Sequence, residues 1–364
     1  MHAQSSFRLL VVRLGAMGDI LHALPAVSAL RRAHPSWTID WVVEPAWQPL
    51  LTAANGAPAE PLSPAQPLVN RVHLAPVKTW ARRPLSPSTL REIGALRRAI
   101  KAAGYNAALD FQGAVRSALI ARAAGSPRVI GEAQPREAPA RWFFSERVTT
   151  RGRHVIEQDI ELASSVAGDN LSFVLPQLPV DPEAEAWCDR LTAPFRGRPV
   201  VLLKPGAGWG AKRWPLERYA AVAAALNGRG FQVLANAGPG EELLADAIAR
   251  QSDGAAAPVQ CSLAQLIALT RRIALAVGGD TGPLHLACAL GRPVVGIYGP
   301  TDPARNGPYG TRFRVLRSPL SLRNHARRHE PESGLLTISP QDVLDAAGEL
   351  LETGGTHAEK AGPR

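Results

Sequence analysis

Ile273-Ala-Leu-Ala-Val-Gly-Gly-Asp-Thr-Gly-Pro-Leu-His-Leu286 is the stretch on which the reading of this chain turns. Its first five residues form an unbroken apolar run, the pattern of a strand buried on both faces. Gly278 and Gly279 follow as a turn. Pro283 to Leu290 then reads as a short helix stopped by Gly291, with Asp280 or Thr281 as its cap and Pro283 in its first turn. A strand, a glycine turn and a helix start present free backbone N–H groups and the positive end of a helix dipole to an anion. A phosphate-bearing ligand is therefore expected here.

The same alternation recurs on both sides. Towards the N-terminus, Arg8 to Arg13 reads as a strand, Gly15-Ala-Met-Gly18 as a turn and Asp19 to His34 as a helix. Ile39–Val43 and Ala107–Phe111 read as further strands, with a helix from Arg91 to Ala103 between them. The pattern lapses in the proline-bearing Leu175-Pro-Gln-Leu-Pro-Val-Asp-Pro182. A second series then follows: strand Pro199–Leu203, helix Leu216–Arg229, strand Phe231–Ala235, helix Glu241–Gln251, strand Ile273–Val277 and strand Val294–Tyr298. Strands alternating with helices give parallel sheets with covered faces. The expected fold is α/β, two doubly wound Rossmann-like domains with a cleft between them: 1–174, a linker at 175–182, and 183–352, whose last helix has the option of packing back on the first domain. Residues 353–364, rich in glycine and polar residues, are expected to be a disordered tail.

The chain has 364 residues, 46% of them hydrophobic, enough for two cores, and a formal net charge of +10. The basic excess is concentrated: between positions 71 and 101 stand Arg71, Lys78, Arg82, Arg83, Arg91, Arg97, Arg98 and Lys101 against one acid, Glu92. Nucleic acid, an anionic membrane surface or a phosphorylated substrate would suit that field, as would a plain solvated helix face. Cys188, Cys261 and Cys288 are far apart, lack metal-ligand spacing and suit a reducing, cytosolic setting. Leu9–Val12 is too short for a signal sequence, and no apolar run is long enough to span a membrane.

The loops that follow strands carry the candidate chemistry. Arg13-Leu-Gly-Ala-Met-Gly-Asp-Ile20 lacks the G-x-G-x-x-G spacing of a dinucleotide site, which argues against a dehydrogenase. Asp19 in this loop reads either as a helix N-cap or as a general base at a strand's carboxyl end. Lys204-Pro-Gly-Ala-Gly-Trp-Gly-Ala-Lys-Arg-Trp-Pro215 lacks the Walker order, but its glycines allow close backbone approach and Lys212 or Arg213 can neutralise phosphate. Glu241, after Asn236-Ala-Gly-Pro-Gly240, is either a first-turn acid favourable to the helix dipole or a ligand for ribose hydroxyls. His285 reads as a packed histidine or as part of the anion loop. No Asp-x-Asp tripeptide and no cluster of histidine and acids occurs, so no metal is expected.

Together these loops resemble the ADP-heptose:lipopolysaccharide heptosyltransferases, glycosyltransferase family 9. The matching pieces are Gly-Ala-Met-Gly-Asp-Ile-Leu-His (15–22), Asp-Phe-Gln-Gly (110–113), Ala-Lys-Arg-Trp-Pro (211–215), Gly-Asp-Thr-Gly-Pro-Leu-His-Leu (279–286) and Tyr-Gly-Pro-Thr-Asp-Pro (298–303). Each is weak alone; their order and spacing over residues 8–351 are specific. Within the family, Lys78–Arg83, Asp110–Gly113 and Arg136-Glu137 look most like its heptosyltransferase I branch.

The resemblance implies the GT-B architecture and an inverting, metal-independent transfer of heptose from ADP-heptose to the Kdo region of Kdo2-lipid A, with no cofactor. A later core acceptor, or a different nucleotide sugar, is the alternative. It implies Asp19 as catalytic base and Lys212, Glu241, Asp280, Thr281, Gly282 and His285 as donor-binding residues. Lys78, Arg82, Arg83, Arg116 and Arg136 are expected to meet the anionic acceptor. The implied setting is cytoplasmic and peripheral on the inner face of the inner membrane, with no nucleic-acid partner. A basic binding protein that merely kept the fold would need neither Asp19 nor Lys212.

Overall fold

The computed structural model describes residues 7–53, 62–195, 197–322 and 330–358. The chain divides into two compact units, Met1–Asp181 and Pro182–Arg364. In unit 1 the elements are β1 (Arg8–Val12), α1 (Met17–Ala33), β2 (Thr38–Val43), β3 (Arg71–Leu74), α2 (Val77–Arg82), α3 (Pro87–Ala102), β4 (Ala107–Asp110), α4 (Val115–Ala123), β5 (Arg128–Glu132), β6 (Glu146–Val148) and α5 (Val155–Ala167). Residues 171–181 have no regular structure. In unit 2 they are α6 (Pro182–Thr192), β7 (Val200–Lys204), α7 (Leu216–Gly228), β8 (Gln232–Asn236), α8 (Glu242–Gln251), β9 (Ala256–Val259), α9 (Leu263–Arg272), β10 (Ile273–Gly279), α10 (Gly282–Ala289), β11 (Val294–Tyr298), α11 (Pro303–Asn306), β12 (Phe313–Arg317) and α12 (Pro340–Ala358).

Each unit holds one six-stranded sheet, ordered β3-β2-β1-β4-β5-β6 in the first and β12-β11-β10-β7-β8-β9 in the second. All the strand pairings in both are parallel. In each, the strand order reverses at one point: between β1 and β4, and between β7 and β10. Ligands of open α/β sheets bind outside the carboxyl ends of the strands at such a point, so the fold itself selects four loops for inspection.

The central strands are buried along their length, β1 from Leu9 and β7 throughout, which is why they read as continuous apolar runs. Helix α1 is apolar nearly all round because α5 covers it. It starts at Met17, two residues before the expected boundary, which places Asp19 inside its first turn with Ala16 as the N-cap. Helix α3 begins at Pro87, where the Ser86 side chain accepts the Thr89 N–H at 3.2 Å, earlier than its apolar periodicity indicated.

At the end of the chain, α12 buries Val343, Leu344, Ala346, Ala347 and Leu350 in the core of unit 2, against α7 and β10–β12. Its apolar face matches that sheet. Having been nucleated there, the helix continues to Ala358, into the segment expected to be disordered; extension of an anchored helix adds a hydrogen bond per residue with no new nucleation. Residues 359–364 of that segment lie outside the described residues. No described helix is long and apolar enough to cross a membrane.

Candidate active site

In unit 1 the loop after β1 and the loop after β4 are tied together. The Leu14 N–H donates to Gln112 Oε1 at 2.8 Å, and Arg13 Nη1 donates to the Phe111 carbonyl. Arg13 also reaches Asp19, with Nη2 3.2 Å from Oδ1, while Asp19 Oδ2 accepts the Ala16 N–H at 3.0 Å. Asp19 is thus not the N-cap. It sits one turn in and reaches back to the cap residue, with both oxygens oriented and 41% of its side chain exposed. That combination suits a base, which needs a fixed direction and access to a substrate proton.

Two further acids lie beneath it. Asp110 accepts from the N–H groups of Gln112 (2.7 Å) and Gly113 (3.2 Å) and from Ser117 Oγ (2.8 Å), yet burial outweighs these bonds and pushes its carboxyl up to about 6. Asp159, buried on α5, is pushed up to about 7, first by burial and then by the negative charge of Asp19 and Glu132, with Arg13 opposing. Arg13 is therefore the shared counter-ion of this acidic group. The sequence motif contained Arg13 but gave it no role. Asp159 had no signal of its own, being one of three acids in α5, with Glu157 and Glu161, and 140 positions from Asp19.

An acid whose pKa is higher in the folded state than in the unfolded chain favours folding at low pH and loses that contribution as pH rises through the folded value. Asp159→Asn is therefore expected to stabilise the protein increasingly between pH 5 and 7 and to level off above. Each tenfold change in an acid's dissociation constant between the two states corresponds to about 1.4 kcal/mol, so the gain at pH 8 is on the order of a few kcal/mol. Calorimetric melting at pH 5 and pH 8 checks it; equal gains at both would remove the burial account.

The expected acceptor-side residues occupy two positions. Lys78 begins α2 after β3, Arg116 lies in the first turn of α4 after β4, and Arg136 follows β5, so these three share the carboxyl edge of the sheet. The Lys78 N–H donates to Glu44 Oε1 at 2.9 Å, and the Glu44 N–H to the Leu14 carbonyl at 3.1 Å, which connects α2 to the Asp19 loop. Arg136 is seated on Gly113: a Cβ at position 113 would stand 3.0 Å from its backbone nitrogen, and φ there is +62°. Arg82 and Arg83 end α2, one turn further on. All five side chains are exposed.

In unit 2 the reversal point gathers Lys212, Asp280 and His285. Lys212, in the turn Gly210–Lys212, places Nζ 2.5 Å from Asp280 Oδ2 and 4.3 Å from the centre of the Trp209 ring. His285 Nε2 lies 3.1 Å from Asp280 Oδ1. Burial alone would raise the Asp280 carboxyl; the hydrogen bond and charge of His285 and the Lys212 ammonium outweigh it and hold it well below the usual carboxylate range. His285 is thus both buried and bonded to the carboxylate that pairs with Lys212. Thr281 is the N-cap of α10 by backbone but makes no side-chain cap bond, and Asp280 spends its carboxylate on Lys212 and His285. The first-turn amide of Gly282 has no intrahelical acceptor, as the anion reading requires.

Glu241 is the N-cap residue of α8, and its Oε1 accepts from Arg213 Nη2 at 2.6 Å. A Cβ on Gly206 would lie 2.2 Å from Oε2, so the glycine in the loop after β7 is what lets Glu241 settle over it. Both cations of the loop are thus ion-paired, Arg213 with Glu241 and Lys212 with Asp280. Sequence reasoning missed Lys204. Its amine is buried at the end of β7, donates to Asn236 Oδ1, and is pushed down to about 8 by burial. Among the described residues no group of three or more His, Cys, Asp or Glu side chains could hold a metal ion.

The sequence pattern described as glycosyltransferase family 9 (heptosyltransferase) matches residues 93–335. The lipopolysaccharide heptosyltransferase 1 of Escherichia coli K12 is 29% identical over 94% of this chain and 100% of its own length. The lipopolysaccharide heptosyltransferase 2 of the same strain is 26% identical over 94% of this chain and 98% of its own. Among solved structures, the E. coli heptosyltransferase WaaC with ADP superposes with a TM-score of 0.74 at 27% identity, covering 94% of this chain and 100% of that one.

Proposed function

This chain belongs to glycosyltransferase family 9, the heptosyltransferases, and from that premise we propose that it transfers heptose from ADP-heptose to the Kdo region of Kdo2-lipid A, in lipopolysaccharide inner-core synthesis. Asp19 is the observation that carries the reading: a carboxylate at the reversal point of its sheet, held on both oxygens by Arg13 and the Ala16 N–H and still accessible.

In this reading unit 2 holds the donor. The diphosphate meets Lys212 and the first-turn amide of α10, Asp280 and His285 fix the lysine, and Glu241 takes the ribose. The ADP-bound relative supports ADP as the nucleotide. Unit 1 holds the acceptor. Asp19 removes the proton of the attacking hydroxyl as its oxygen forms the new bond to the anomeric carbon. The bond to the diphosphate oxygen breaks on the opposite face, and ADP leaves with that electron pair. One displacement inverts the anomeric centre. Charge growing on the leaving diphosphate is stabilised by Lys212 and the helix amide, which are in place before reaction. The step needs no metal.

The choice of a Kdo acceptor rests on the type 1 relative, 29% identical against 26% for type 2. Incubation with ADP-heptose and either Kdo2-lipid A or its heptosylated product, followed by mass measurement, tests it: one heptose added to Kdo2-lipid A is expected, and addition only to the heptosylated acceptor would shift the assignment to the later step. On the acceptor side, K78A/R82A/R83A is expected to raise acceptor KM by tenfold or more, since charge-assisted contacts to anions are worth about 1.5–3 kcal/mol each, and to leave ADP affinity alone. Steady-state kinetics and calorimetry separate the two; equal losses on both substrates would argue against the assignment.

A further inference from the structure

The block Tyr298-Gly-Pro-Thr-Asp-Pro303 has no part in the transfer scheme, yet one acid outside every quoted motif, Glu332, links it to the site. Both carboxylate oxygens of Glu332 are used. Oε1 accepts the Leu322 N–H at 3.3 Å, while Oε2 accepts Ser321 Oγ at 2.9 Å and the Leu335 N–H at 3.2 Å. The segment after β12 and the turn Leu335–Thr337 are thereby joined. Arg317 ties that segment to the loop after β11: Nε donates to the Gly299 carbonyl at 3.2 Å and Nη2 to the Ser321 carbonyl at 2.8 Å. The join is tightly filled, since a Cβ on Gly299 would stand 2.8 Å from Leu335 Cγ and 3.3 Å from Glu332 Oε2.

This knot grips the Lys212 turn on both flanks. The Glu332 N–H donates to the Ala211 carbonyl at 3.2 Å, just before the lysine. Just after it, the Ile338 carbonyl accepts from Trp214 Nε1 at 3.0 Å and Arg218 Nη1 at 2.6 Å. Leu335 and Ile338 are buried in the core of unit 2, so the grip has a fixed footing. The turn itself is weak. It is one round of tight helix, closed by Lys212 N–H to Trp209 at 3.2 Å and Arg213 N–H to Gly210 at 2.8 Å. Gly208, just upstream, has nothing within 4 Å of where a Cβ would lie. Ordering such a glycine loop costs backbone entropy, and a cation on a loose turn is a diffuse charge. We propose that Glu332 is a positioning residue: it holds the Gly210–Lys212 turn, and through it the Lys212 amine, in place for the donor diphosphate. The proposal deepens the donor reading and rests on it for the effect on ADP; the grip on the turn stands on geometry alone.

Two measurements on the full chain test it. Hydrogen exchange without ligand reads the grip: the Lys212 and Arg213 amides should exchange about tenfold faster or more in E332A than in wild type, as local opening becomes easier. Calorimetry with ADP reads the consequence. E332A should weaken ADP by about 5- to 30-fold, the range for coupled neighbours, yet by less than about twofold when Lys212 is already alanine, because a residue acting through Lys212 has nothing left to position. E332Q keeps an amide oxygen for Ser321 and Leu335 and should recover most of the affinity. Should E332A not fold, G299A displaces the same segment from its other side and should give the same pattern. Unchanged exchange, an equal loss of ADP affinity with and without Lys212, or E332Q as weak as E332A overturns the proposal. Faster exchange in E332A, with K212A binding ADP as wild type does, sinks the donor reading instead and supports the grip on the turn.

Discussion

Asp19→Ala is expected to lower turnover by about 10²–10⁴-fold, the range for losing a positioned general base, with ADP affinity retained. The acceptor hydroxyl is a poor nucleophile until its proton has somewhere to go, and Asp19 is the exposed carboxylate of its loop. The same side chain has a structural task, since it accepts the Ala16 N–H in the first turn of α1. Loss of such a bond costs about 0.5–2 kcal/mol of stability, so the alanine variant alone mixes two effects. Asp19→Asn separates them. An amide oxygen still accepts the Ala16 N–H but is no base, so the asparagine variant should melt near wild type and be as slow as alanine. Near-normal turnover in either would remove Asp19 from the chemistry.

Lys212→Ala is expected to weaken ADP binding by about 10–10²-fold through the lost charge-assisted bond, and by more than the bond alone. The substitution leaves Asp280, whose ionised form Lys212 and His285 support, without its 2.5 Å partner and beside an incoming diphosphate. Part of the loss is thus repulsion that the lysine normally cancels. Lys212→Ala with Asp280→Asn should therefore bind ADP more tightly than Lys212→Ala alone, a non-additivity expected of groups in one network. Titration calorimetry of both variants checks the pair. Unchanged ADP affinity in the single variant would take Lys212 out of the site, and a double variant no better than the single would show that Asp280 does not oppose the ligand.

The sequence disclosed what lies in the middle of each sheet and little of what lies at its edges. β1, β7, β10 and β11 are buried runs, and burial on both faces leaves a continuous apolar signature. β6 has only three residues, β9 contains Pro258, and β12 exposes Phe313, so none of these edge strands carries a pattern that stands apart from a loop. The site divides in the same way. Asp19, Lys212, Glu241 and Asp280 were visible because each follows a legible strand and its glycines. Arg13 was visible but mute, because its role depends on Phe111 and Asp159, brought near only by the sheet order. Lys204 is explained by Asn236, at the end of the neighbouring strand. Such pairings across the sheet leave no local periodicity to read.

The bond from Leu14 to Gln112 and that from Arg13 to Phe111 make the two loops beside Asp19 a single stiff part. A stiff part has its catalytic geometry set when the chain folds, so the acceptor need not supply the ordering entropy of those loops on arrival. It also relocates vulnerability: Gln112, which touches neither proposed substrate in this scheme, becomes a place where a small substitution reaches the base through a neighbour's backbone. Engineers seeking to alter acceptor choice would do well to vary the exposed arginines and leave the seam intact.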